Sequence, residues 1–161
     1  MSIALLDADE TPVIGVVYNP ESDEMFHGVA GRGAYQNDTP IAPTDRDRLD
    51  ESMLLSGYDP DGSFLQAFYS ETQGVRRLGS AALHLAYVAA GSADAVWEYD
   101  THPWDVAAGL CILREAGGAA TDDEGADYRV RLDADDDRTP ILASNGVVHD
   151  ALLDHLATQD V

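Results

Sequence analysis

"THPWDVAAGLCILREAGG", residues 101–118, follows a β-rich run at 93–99 and sets a proline, a tryptophan and an aspartate at the mouth of a mostly apolar segment. Pro103 suits the first turn of a helix, where its missing N–H costs nothing. Asp105 then sits where the helix macrodipole favours negative charge. That alone accounts for the aspartate as a helix-start carboxylate. A second reading is that it holds a metal ion, because a hard divalent cation such as magnesium takes carboxylate oxygens, commonly one or two together with substrate phosphate and water.

Outward from this helix the chain divides in two. Residues 1–50 read as an antiparallel meander: β-rich runs at 2–5 and 13–18 around the turn 7–12, a third at 24–30 after Asn19-Pro20, and a glycine-opened return at 31–37. Residues 38–50 are polar and carry prolines, as a surface connection does. Residues 51–161 alternate instead. A short buried strand at 53–57 leads to a helix at about 62–73, a strand near 75–78, a helix at 80–90 and the strand at 93–99. After the helix opened by Pro103 come strands at 119–121 and 140–144 and a helix at 147–157. The expected fold class is a layered α+β / α/β arrangement within a single domain of 161 residues, a meander at 1–50 beside an α/β layer at 51–161.

The composition narrows the function. Thirty acidic residues face nine basic ones, all of them arginine, for a formal charge of −21. No positive patch exists to release phosphate counterions or meet anionic headgroups, so nucleic acid and membrane are excluded as partners. An Asp-rich, Lys-free surface predicts a salt-adapted, haloarchaeal source. At 1 M salt the Debye length is about 3 Å, so recognition there must rest on close contacts. The single cysteine, Cys111, rules out a disulfide framework, and no basic leader or long apolar run is present; a cytoplasmic location is expected.

Two constellations carry chemistry. Glu98, Asp100, His102 and Asp105 fall within eight residues at a strand-to-helix junction, flanked by Trp97 and Trp104, and α/β proteins commonly place sites at such strand ends. In "RRLGSAALHLAYVAAG", residues 76–91, Gly79-Ser80-Ala81 combines a strand-end glycine, an N-cap and small residues, so its backbone N–H groups either take an anion or simply start a helix. His84 packs or faces solvent. The run Asp133 to Asp137 lacks the glycine and distal glutamate of a calcium loop and reads as a solvated acidic loop.

Taken together these residues resemble the inositol monophosphatase family, a magnesium-dependent group of sugar phosphatases that includes archaeal fructose-1,6-bisphosphatases. The family's C-terminal signature, W-D-x-A-A-G-x-x-[IL]-x-x-E-A-G-G, stands here from Trp104-Asp105 to Gly117-Gly118, and "GVVYNPESDEMF" (15–26) and "GRGAYQND" (31–38) look like its central hairpin. The resemblance implies that Asp105 is a magnesium ligand close to substrate and that Glu98 binds the substrate's hydroxyl groups. It further implies that Gly79, Ser80 and Ala81 line the pocket, with His102 beside the metal. The substrate implied is a small phosphorylated sugar or polyol, such as inositol monophosphate or fructose 1,6-bisphosphate, and the implied assembly is a homodimer.

One part of the family's pattern is missing. No D-P-[IL]-D-G-T motif occurs, and Asp59-Pro60-Asp61-Gly62 is one residue short and in the wrong region. The expectation is therefore a C-terminal portion of a family member, from a start set too late or from a shortened gene, holding one carboxylate of the metal site and weak or inactive by itself. The alternative is a non-catalytic remnant or a partner subunit of such an enzyme.

Overall fold

The computed structural model describes residues 1–132 and 139–159; the acidic run 133–137 lies outside them. The meander forms as expected. Strands β1 (Ser2–Leu6), β2 (Pro12–Asn19), β3 (Glu24–Val29), β4 (Ala34–Gln36) and β5 (Thr39–Pro40) make one antiparallel sheet in that order. Its first turn is closed by Asp7, whose carboxylate accepts the N–H groups of Asp9 and Thr11 at 2.9 and 3.0 Å. Alternation along β1 turns Ala4 and Leu6 toward the core while Ile3 and Leu5 remain 57% and 56% exposed on a sheet edge.

The second sheet has the order β7-β6-β8-β10-β9, from β6 (Met53–Ser56), β7 (Gly74–Arg76), β8 (Ala95–Thr101), β9 (Ala119–Thr121) and β10 (Thr139–Ser144). β6 runs parallel to β7 and β8, whereas β10 is antiparallel to β8 and β9. Period-2 alternation splits the sheet's apolar side chains between two cores. Leu55, Val96, Ile141 and Ala143 join the core shared with the first sheet and the helices α2 (Ala81–Ala89) and α3 (Pro103–Ala116). Leu54, Ala95, Trp97 and Leu142 face the other way, into a core completed by α1 (Ser63–Phe68) and α4 (His149–Gln159). The order is thus sheet, helix pair, sheet, helix pair, a layered α+β fold.

Some boundaries move. α1 stops at Phe68 rather than near 73: Thr72 folds its hydroxyl back onto the Phe68 carbonyl at 2.7 Å, and the Gln73 N–H is taken by Ser52 O ahead of β7. β8 begins at Ala95 because Asp94, fully buried, is spent as a hub: it accepts from Thr44 Oγ1, Arg46 and the Met53 N–H, tying the 42–48 connection to the sheet. α4 begins at His149 because Asn145 Oδ1 holds the Val147 and Val148 N–H groups in a turn. Among the described residues no helix is long and apolar enough to cross a membrane.

α3 is buried continuously from Val106 to Leu113, since it lies between the first sheet and α2. Glycine permits this seat. A Cβ on Gly15 would stand 2.3 Å from Ala108 O, one on Gly28 3.1 Å from Ile112 Cα, and one on Gly109 2.6 Å from Leu85 Cβ. At the far end Glu115 reaches back to the β3–β4 turn, accepting the N–H groups of Gly31, Arg32 and Gly33 at 2.9, 3.1 and 2.9 Å.

Two outcomes follow from this packing. Gly15→Ala should lower the unfolding free energy by about 1–3 kcal/mol, since backbone rather than a flexible side chain must yield; an unchanged urea midpoint would refute the close approach. The Gly31 N–H bond, with those of Gly33 and Arg32, holds the Glu115 carboxyl below its ordinary 4.5 despite partial burial. Its folded value being depressed, the stability it lends is complete above pH 4.5 and lost as pH falls through that lower value. Glu115→Gln should therefore narrow its stability gap to the parent chain as denaturation is followed into acid, and a gap constant with pH would contradict the role.

Candidate active site

Three chain segments meet at one end of the inner helix layer. β8 delivers Glu98, which lies two residues beyond Val96 and so faces the same, helix-bearing side. Four residues later the chain turns at His102 into α3 and places Asp105 in its first turn. α2 opens beside them, its Ser80 hydroxyl accepting from the Leu83 N–H at 3.4 Å. Together they wall an open cavity of about 470 Å³, lined by Gly57, Tyr58, Arg77, Gly79, Ser80, Ala81, Glu98 and Asp105, with Met1 to Ser2 and Val17 to Pro20 on the meander side.

Of the residues singled out in the sequence, Gly79, Ser80, Ala81, Glu98 and Asp105 share this cavity. Asp105 Oδ2 accepts the His102 N–H at 3.0 Å, as a helix-start carboxylate does, and the side chain also lines the cavity wall. His102 does not line it; its ring stacks on Trp104 with centroids 4.6 Å apart, and its backbone starts α3. Asp100 does not line it either. The short Asp-Pro-Asp-Gly run caps α1, where Asp59 accepts the N–H groups of Gly62 and Leu65 and Asp61 that of Ser63.

His84 packs, the first of its two expected alternatives, and it also bonds across elements. It is fully buried on α2, and its Nδ1 lies 2.5 Å from Glu98 Oε1 while Nε2 receives the Leu78 N–H at 3.1 Å. Glu98 itself is 5% exposed. Gly57, at the end of β6, completes the fit: a Cβ there would fall 1.4 Å from Glu98 Oε2. Arg77 was also not foreseen. Its guanidinium lies 5.5 Å from the Tyr58 ring centroid, a cation–π distance, and no carboxylate pairs with it among the described residues.

The cavity holds two carboxylates, Glu98 and Asp105, together with the Arg77 guanidinium, which no carboxylate pairs among the described residues, and the N-terminal end of α2. Backbone N–H groups and the positive dipole end favour an anion there. Asp105 offers a hard oxygen donor suited to magnesium, and Glu98 offers hydrogen-bond acceptors to hydroxyl groups. Among the described residues, no group of three or more His, Cys, Asp or Glu side chains is placed to hold a metal.

This arrangement has close counterparts. The model of the inositol monophosphatase family matches residues 1–160. The chain belongs to that family. It is 42% identical over 165 residues to an inositol-1-monophosphatase of Synechocystis, covering 98% of this chain and 55% of the relative. It is 35% identical over 155 residues to a fructose-1,6-bisphosphatase/inositol-1-monophosphatase of Thermotoga maritima, covering 95% and 58%. The solved structure of an inositol monophosphatase from Anabaena superimposes with a TM-score of 0.87 at 41% identity, over 98% of this chain and 63% of that one. The chain therefore spans little more than half the length of the curated relatives it matches, and shares the family's layered fold.

Proposed function

We propose that this chain forms the substrate side of a magnesium-dependent phosphomonoesterase acting on small phosphorylated sugars or polyols. The observation carrying the proposal is the convergence of Glu98, Asp105, Gly79, Ser80 and Ala81 on one cavity that also presents an unpaired arginine. In this reading Asp105 contributes a carboxylate oxygen to magnesium, with Oδ2 steadied by the His102 N–H. Bound magnesium supplies a Lewis acid that neutralises phosphate oxygens and activates water. Glu98 accepts the hydroxyl hydrogens of the sugar or polyol. The start of α2 and Arg77 attract the phosphate from the opposite wall. The chain works in a salt-rich interior, where these short contacts survive screening.

Turnover by this chain alone is expected to be weak or absent. One carboxylate plus water and phosphate binds magnesium loosely, and in-line phosphoryl transfer draws on ions that clamp both attacking and leaving oxygens. Binding and catalysis thus separate. Calorimetric titration with myo-inositol 1-phosphate should show affinity that rises with magnesium, with little phosphate released over hours. Asp105→Asn should remove the magnesium dependence while leaving the thermal midpoint nearly unchanged. Magnesium-dependent binding that persists in Asp105→Asn would overturn the assignment of the ligand, and brisk phosphate release would overturn the expected inactivity.

A further inference from the structure

We propose that His84 is the positioning residue of this site: with its ring proton on Nδ1, it fixes the Glu98 carboxylate and aims its second oxygen at the substrate's hydroxyl groups. The proposal rests on Glu98 being the hydroxyl acceptor of the reading above. The tautomer follows from the partners. Nε2 lies 3.1 Å from the Leu78 N, a backbone group that can only donate, so Nε2 is the acceptor and the ring proton is on Nδ1. A doubly protonated ring would set two N–H groups against each other there. Nδ1–H accordingly donates to Glu98 Oε1.

The consequences reach the cavity at two walls. A carboxylate as buried as Glu98 needs a hydrogen-bond donor for its oxygen, and Nδ1–H of His84 is that donor. With Oε1 held by His84 and Oε2 lying against Gly57, where a Cβ would fall 1.4 Å away, the group has one orientation, and Oε2 has no hydrogen-bond partner among the described residues. The same ring anchors the Leu78 amide, one residue before Gly79, and so ties Glu98 on β8 to the turn whose Gly79, Ser80 and Ala81 form the opposite wall. Acceptor and phosphate-side wall are thereby set at a fixed separation by one imidazole.

The test separates hydroxyl recognition from phosphate recognition. With magnesium present, His84→Phe, which fills the space but donates nothing, should weaken binding of myo-inositol 1-phosphate by about tenfold or more. The same variant should weaken binding of inorganic phosphate by a smaller factor, about threefold or less, because phosphate loses only the Leu78 anchor of the 79–81 turn. His84→Asn, whose side-chain N–H group can stand near the position of Nδ1–H, should recover most of the loss. Nitrogen-15 spectra of the ring should show the Nδ1–H form in the parent chain. Equal losses for both ligands, no loss in His84→Phe, or a ring protonated on Nε2 would overturn the positioning role. Failure of the parent chain to bind either ligand would instead sink the function proposed for the site, whereas the ring spectrum would still report on the His84 bond.

Discussion

Helix α3 touches its neighbours at backbone distance, and most of the molecule is arranged around that contact. Gly15 and Gly28 let β2 and β3 close on it from one side, and its own Gly109 lets α2 close on it from the other. A side chain at any of the three positions would hold the layers apart, because the atoms in the way include backbone and the base of a core leucine rather than movable tips. Glu115 then latches the far end of the helix to the β3–β4 turn through three N–H groups. The helix is pinned along its length, so its first turn has a defined address.

That address is the cavity. Because β8 runs almost directly into α3, Glu98 and Asp105 are separated by one strand end and one helix turn, and both face the space at the start of α2. The site is built from main-chain direction more than from loops, the kind of support that holds functional groups to small tolerances. Its charges are handled differently. Asp105 is held through a backbone N–H at the helix start, whereas Glu98 is buried and depends on a side-chain donor from another element. One carboxylate thereby lines the cavity from the helix start, and the other is fixed in the interior.

Much of this was legible in the residues. Period-2 alternation and turn chemistry gave the meander, and the Pro103 to Gly118 segment gave the buried helix and the position of Asp105 in its first turn. The family resemblance places Gly79, Ser80, Ala81, Glu98 and Asp105 around one pocket, and all five line one cavity. What was not legible depended on side chains meeting across elements. Nothing local in "SAALHLAY" distinguishes a histidine packed in a core from one bonded to a glutamate fourteen residues away. Gly57 reads as a strand end until the Glu98 carboxylate is seen lying against it. His102, which the resemblance puts beside the metal, starts α3: its N–H is held by Asp105, and its ring stacks on Trp104. Helix α1 was read too long because the folding back of Thr72 onto Phe68 has no periodic signature.

The central claim is that the pinned start of α3 brings a cation-binding carboxylate to the wall of the Glu98 cavity. Titration with manganese as a paramagnetic stand-in for magnesium, followed residue by residue in amide NMR spectra, tests it most directly. The account predicts that broadening appears first at 102–106 and at 79–81, and that Asp105→Asn abolishes it there. Broadening that begins in the acidic run 133–137, or that spreads over the charged surface without reaching the cavity first, would contradict it.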